Sequence, residues 1–181
     1  MAIDAIAHGR PRSMQTLWLK DLPWALAASM IVPAPEACLT LWQSVDGRVA
    51  RAYLLADGAP DSSWTQLVQL QSLEGASTGQ GPAFHYSVET DVAPEHEAQL
   101  NAWYAEEHLP GLASVPGTIR AARFRRKAGS PKYLACYDLT SPDTLERSEW
   151  LAVRHTAWSS RVRPRFQNTR RTMFRRRAVG A

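Results

Sequence analysis

From Phe84 to Val92 the side chains alternate, with Phe84, Tyr86, Val88, Thr90 and Val92 set against His85, Ser87, Glu89 and Asp91. A two-residue period of this kind belongs to a strand with two unlike faces. The next fifty residues restrict the fold most, because there the period changes and then returns. Pro94, Glu95 and Glu97 suit the first turn of a helix, and Pro110-Gly111 is expected to stop it after His108 and Leu109. Val115-Pro116-Gly117 then turns the chain into a strand from Thr118 to Lys127. Ala128-Gly129-Ser130-Pro131 returns it through Lys132 to Leu139, which makes a hairpin. Ser141-Pro142 opens a second helical region, Ser148 is expected to cap Glu149 to Arg154, and Arg165 to Arg175 reads as a last strand. The order β-α-β-β-α-β is that of a ferredoxin-like unit, so the fold class is α+β.

Upstream the pattern is weaker. Gly75-Ala76-Ser77-Thr78-Gly79-Gln80-Gly81-Pro82 is small and polar and reads as a linker, dividing the chain into residues 1–74, a connection at 75–82, and residues 83–177. Leu39 to Gln43 and Arg48 to Ala56 form an expected hairpin through Val45-Asp46-Gly47. Leu22 to Met30 and Ser63 to Leu73 read as helices. The resulting α-β-β-α order fits either an eroded second ferredoxin-like unit or an unrelated extension packed on the sheet. In the first case the chain closes a barrel on itself. In the second, an open sheet face would make a sticky patch and predicts a homodimer.

Net charge is +4, unevenly placed. Five Lys/Arg and seven Asp/Glu precede Ala83, whereas sixteen and ten follow. No carboxylate occurs after Glu149, while nine arginines do. In the stretch RVRPRFQNTRRTMFRRR apolar residues are interleaved with the arginines, as in a strand with one solvated or pocket-facing side. No nucleic-acid-binding signature accompanies it, so no nucleic-acid partner is expected. The apolar run from Leu17 to Val32 is broken by Lys20, Asp21 and Pro23, too short for a membrane span. Cys38 and Cys136 have no CxxC spacing and read as core residues of a protein in a reducing, cytoplasmic compartment.

Candidate chemistry gathers on the helix after the first strand. At ~100° per residue, Leu100, Trp103, Tyr104, Glu107 and His108 share one side, so a carboxylate and an imidazole lie on the buried face. If the apolar sides of the strands face the helices, then His85, Ser87 and Glu89, together with Arg123 and Arg125, line the other, open face of the sheet.

Trp103-Tyr104-x-Glu106-Glu107-His108-Leu109-Pro110, followed by Val115-Pro116-Gly117, Arg123-Phe124-Arg125, Pro131 to Ala135 and the Trp158 to Arg165 segment, resembles the EthD-like proteins of the dimeric α+β barrel superfamily. The resemblance covers about residues 83–177. It implies two ferredoxin-like sheets paired into a barrel, with the helix-end histidine, here His108, projecting toward a lumen that binds small hydrophobic or aromatic molecules. It also implies chemistry among cofactor-free monooxygenases, cyclases and muconolactone-type isomerases, with haem-binding relatives.

An imidazole can take a proton from a carbon acid or phenol and return it elsewhere, the step shared by isomerisation and ring closure. His108 is therefore the candidate catalytic residue of a cofactor-independent isomerase or cyclase acting on a conjugated or aromatic carboxylated substrate. Tyr104, at i−4, is its nearest expected neighbour. Glu107 would tune it, Arg123 would hold a substrate carboxylate, and His85, Trp103, Tyr86 and Trp158 would complete the substrate site. No metal site is expected: His96 and His108 are twelve residues apart on one helix, ~18 Å along its axis. The alternatives are a non-catalytic barrel binding a hydrophobic ligand, a cofactor-free monooxygenase, or a haem-binding relative.

Overall fold

The computed structural model describes residues 16–29, 38–56, 58 and 60–177. Eight strands form a closed antiparallel barrel: β1 (Thr16–Pro23), β2 (Cys38–Ser44), β3 (Val49–Ala56), β4 (Thr65–Glu74), β5 (Phe84–Asp91), β6 (Thr118–Arg126), β7 (Tyr133–Leu139) and β8 (Gln167–Arg176). Around the barrel they run β1-β3-β2-β8-β5-β7-β6-β4, and β4 returns to β1. The last four strands lie in the ferredoxin-like order β8-β5-β7-β6, as the alternation and turns downstream of residue 83 predict. The first four lie as β4-β1-β3-β2, the same fourth-first-third-second order. Two seams join the halves, and each pairs the second strand of one half with the fourth of the other. Trp42–Ser44 pairs with Phe174–Arg176, and β4 pairs with β6 from Leu67↔Arg126 to Glu74↔Arg120.

Closure leaves no open sheet edge. It also removes the open face that motivated a homodimer, because strands of the first half cover that face within the same chain. Among the described residues no helix is long and apolar enough to cross a membrane.

Among the described residues the α-helices belong to the second half. A 3₁₀ turn (Pro94–His96) leads into α1 (Glu97–Trp103), a π turn (Tyr104–His108) and α2 (Leu109–Ala113). After β7 come a 3₁₀ turn (Pro142–Glu146), α3 (Ser148–Arg154) and α4 (Ala157–Val162). Contrary to the sequence expectation, Pro110 does not stop the first helical run, which continues to Ala113. A proline clashes with the carbonyl four residues before it and donates no bond. The π turn just upstream widens the ladder, with the Leu109 N–H reaching the Tyr104 carbonyl five residues back. Gly111 brings α2 close to α3: a Cβ there would lie 2.9 Å from Val153 Cγ1. The residue before α3 is Arg147, with no side-chain cap, so Ser148 is not the cap expected of it.

Two further expectations in the first half fail. Leu22 and Pro23 end a strand, and only Trp24–Ser29 is helical, as a 3₁₀ turn; Met30 lies outside the described residues. Ser63 to Leu73 is not a helix but contributes most of β4, which supplies both β1 and β6 with a partner. The Leu39–Gln43 and Arg48–Ala56 hairpin forms as β2 and β3. The segment 75–82 is pinned rather than loose. The Gly75 N–H donates to the Ile119 carbonyl at 2.8 Å, Ser77 N–H to the Thr118 carbonyl at 2.8 Å, and a Cβ on Gly75 would lie 2.1 Å from the Thr118 oxygen.

Three apolar clusters fill the layers. Between helices and sheet lie Leu100, Trp103, Tyr104, Leu109, Tyr137 and Trp150 with their neighbours. Inside the barrel lie Leu19, Trp42, Tyr53, Phe124, Leu134 and Phe174. A smaller cluster, including Leu41, Ala50, Ala52, Leu54 and Trp64, packs with Trp24 on the first half.

Candidate functional site

Strand parity divides β5 between two environments. His85, Ser87 and Glu89 point into the barrel, as expected, while Tyr86 and Val88 point to the helices. Strand β6 reverses the expectation: Ala122 and Phe124 join the interior cluster, and Arg123 packs outward against Tyr104 and Tyr133. Most of β6 is buried on both faces, so its alternation carries no information about which face is inside.

The barrel interior is a paired polar network. Arg51 of β3 donates to both Asp21 oxygens at 2.7 and 2.6 Å, to Ser87 Oγ at 2.9 Å and to Glu89 Oε2 at 3.0 Å. Arg126 ion-pairs with the other Glu89 oxygen. His85 lies between Asp138, 2.7 Å from Nδ1, and the Tyr53 hydroxyl, 2.9 Å from Nε2, with Trp42 stacked 4.9 Å away. Tyr53 also meets Cys136 Sγ at 3.4 Å. Cys136 is a buried free thiol, as its expected core role requires, and the Cys38 side chain lies outside the described ones. Burial by itself lowers the His85 pKa. The Cys136 sulfur and the Asp138 carboxylate outweigh burial and raise it to about 9, so His85 is an imidazolium at neutral pH.

His108 sits elsewhere, between the helices and the outer face of the sheet. The implied projection into the lumen is thus incorrect here, since the interior is closed and filled. Its ring stacks on Trp103 with centroids 4.0 Å apart and meets Tyr104 edge-on at 5.4 Å. The π turn sets this geometry: Trp103 precedes it, Tyr104 opens it and His108 closes it. His108 Nδ1 and the Tyr137 hydroxyl are buried without hydrogen-bond partners. A small cavity of about 40 Å³ adjoins them, walled by Tyr86, Trp103, Trp150 and Phe166 and rimmed by Arg154, Arg163 and Arg171. None of these three arginines forms an ion pair among the described residues; Arg163 donates only to the Arg154 carbonyl, at 3.2 Å. Burial, then the charges of Arg163 and Arg154, push the His108 pKa down to about 3, leaving a neutral imidazole at physiological pH. Burial first, then Arg154 and Arg171, also lowers the Arg163 pKa. Burial raises that of Tyr104 to about 12, against the pull of Arg123, so its phenol stays protonated.

Of the residues singled out in sequence, Tyr86, Trp103, Tyr104 and His108 meet at this cavity. Trp158 packs on the same core without lining it. Glu107 points toward α4, accepting from Trp103 Nε1 at 3.2 Å and Thr156 Oγ1 at 2.6 Å. His85 belongs to the interior, and Arg123 lies beyond the Tyr104 ring from His108. The arginines at the rim and Tyr137 were not singled out in sequence. The available signal was the carboxylate-free run after Glu149, whose arginines read as the solvated or pocket-facing side of a strand.

No family model matches the chain, and no curated protein matches it in sequence. Solved structures match its fold. A major regulator of staphylococcal pathogenesis aligns over 90% of this chain and 99% of its own, with a TM-score of 0.68 and 11% identity. A ferredoxin-fold protein from Listeria monocytogenes, described as related to antibiotic biosynthesis monooxygenases, aligns over 91% and 95% with a TM-score of 0.59 and 11% identity. An anthrone oxidase-like protein aligns over 94% and 95% with a TM-score of 0.61 and 13% identity. Such identities establish shared fold alone. The shared fold is the closed antiparallel α+β barrel, and the structures that have it include proteins described as monooxygenase-like and as a haem-degrading enzyme.

A haem does not suit this site. About 40 Å³ holds only a few water-sized atoms, and the imidazole is stacked flat on Trp103.

Proposed function

We propose that this protein is a small-molecule enzyme of the EthD-like kind, in which His108 removes a proton from a phenolic or carbon acid and the rim arginines hold the resulting delocalised anion. The observation that carries the reading is a neutral, buried imidazole beside three arginines that have no carboxylate partner among the described residues. Neutral His108 has a lone pair to accept the proton. With its pKa held down to about 3 by burial and by Arg163 and Arg154 it is a weak base alone, and the anion that forms beside those arginines offsets their charge and strengthens it. Positive charge at the rim makes the conjugate anion easier to form than in water, since the cations are already in place. Tyr86, Trp103, Trp150 and Phe166 supply flat apolar walls suited to a conjugated ring. A one-ring substrate enters when the half-buried Arg154 and Arg163 side chains swing outward, because the enclosed space is smaller than a ring. No step needs a cofactor. Returning the proton to another carbon gives the isomerase or cyclase outcome, which keeps the substrate's oxidation level.

The similarity to monooxygenase-like and anthrone oxidase-like structures favours a second reading of the same anion. There dioxygen is the co-substrate, accepting electrons from the anion in place of the returning proton.

One experiment tests both. The protein is incubated anaerobically in D₂O with a panel of phenols, anthrones, unsaturated lactones and dienoic acids, and deuterium uptake at carbon is followed by mass spectrometry. The expected result is uptake that falls ~100-fold or more in His108→Gln, the usual scale for a lost acid/base group. Oxygen consumption on readmitting air selects the oxidative outcome. Uptake at the wild-type rate in folded His108→Gln would overturn the assignment.

A further inference from the structure

Arg123 is only 3% exposed, yet no hydrogen bond or ion pair to its side chain occurs among the described residues. Its guanidinium lies between two rings, with Cζ 4.3 Å from the Tyr104 centroid and 4.7 Å from that of Tyr133. Nε and Nη2 are buried without partners. A guanidinium held this way has lost water and gained only ring faces, an unfavourable arrangement for packing alone. Nearby carboxylates do not answer it: Glu97, the acid of the same surroundings, is taken by Lys132.

The residue opens on a cleft of about 430 Å³ between α1 and strands β4 and β6. Its walls include Leu70, Ala105 and Tyr133, and Arg125 and the Lys132–Glu97 ion pair also line it. A second buried atom without a partner, Asn101 Oδ1, stands on the same wall and is suited to accept a bond from an occupant. Gln71 Nε2 reaches across from β4 to the Ala105 carbonyl at 3.3 Å and ties the two sides together. The cleft therefore offers a fixed positive charge, a neutral acceptor and apolar wall, in a space far larger than the His108 cavity. Tyr104 separates the two, its ring meeting His108 on one side and Arg123 on the other.

We propose that this cleft is a second binding site, distinct from the His108 cavity, for a small organic acid whose carboxylate or phosphate pairs with Arg123 while its apolar body lies along Leu70, Ala105 and Tyr133. An oxyanion supplies what the guanidinium lacks, two acceptors in one plane. The volume and the apolar wall call for an organic body rather than a bare inorganic ion.

The test is calorimetric titration of the full chain at pH 7 with benzoate, phenyl phosphate and inorganic phosphate. Benzoate or phenyl phosphate is expected to bind with one equivalent per chain, and whichever binds more tightly identifies the acid group. Arg123→Met should weaken that binding ~10-fold or more. Because it removes a desolvated charge that has no partner, it should also melt no lower than the wild type. An Arg154→Met/Arg163→Met variant alters the other cavity and should leave this binding intact. Absence of binding by either organic acid would overturn the proposal. So would equal binding of inorganic phosphate, unchanged affinity in folded Arg123→Met, or loss of binding in the Arg154/Arg163 variant.

Discussion

His85 and His108 are buried to nearly the same degree, 2% and 7% exposed, and carry opposite charge states at neutral pH. The first faces the barrel interior, where Asp138 holds one ring nitrogen and Tyr53 the other. The second faces the helices, where its neighbours are a Trp ring and arginines. Burial alone disfavours the imidazolium in both places, so the difference comes from the company each ring keeps. Inside the barrel, charges from both halves are matched. On the helix side they are left open, and that is where a ligand has something to add.

The strongest way to break this contrast is to remove one arginine from each side. Arg51→Met strips the buried partner from Glu89 and Asp21 and is expected to cost ~3–5 kcal/mol in urea unfolding. Arg163→Met should change stability by less than ~1 kcal/mol, since no carboxylate depends on it. Equal losses would show that the helix side is as structural as the interior.

Acidity separates the two histidines next. The folded pKa of His108 is depressed from 6.5 to about 3. Its contribution is therefore present above pH 6.5 and lost as pH falls toward 3, by at most about 1.4 kcal/mol per unit. The folded pKa of His85 is raised to about 9, so its contribution is complete below pH 6.5 and lost as pH rises through 9. Unfolding curves across pH 4 to 10 should thus lose part of their acid limb in His108→Gln and part of their alkaline limb in His85→Gln. A His108→Gln curve parallel to the wild type below pH 6 would contradict the neutral buried ring.

The smallest expected effect concerns the scaffold that holds the helix side. Gly111→Ala places a methyl group 2.9 Å from Val153 Cγ1 and should cost ~1–3 kcal/mol, largely restored by Val153→Ala. Full stability of Gly111→Ala would mean that α2 and α3 can part freely.

Much of the second half was readable because each strand is bounded by Gly or Pro turns and each helix by a change of period. The first half hid its strands. In β4 the alternation breaks at a register shift between Gln69 and Gln71, leaving Leu70 43% exposed, so Trp64, Leu67, Val68 and Leu70 imitate one face of a helix. In β1 the apolar run simply merges into the following turn. At the site, helical spacing correctly placed Trp103, Tyr104 and His108 together. It could not place Arg123, because both faces of β6 are covered. Nor could it find Arg154, Arg163 and Arg171, which come from α3, the 3₁₀ turn Arg163–Arg165 and β8 and meet only after the chain folds.

Closing the barrel within one polypeptide has a consequence for how it can change. A barrel assembled from two copies of a chain repeats every side chain, so each substitution is made twice and both faces must tolerate it. Here every position occurs once. The half that carries α1 to α4 can alter its cavity while the other keeps the strands that complete the cylinder, and neither is bound to resemble its counterpart. A change at His108 therefore alters one cavity per barrel rather than two, and a ligand specific to that cavity should saturate at one equivalent per barrel.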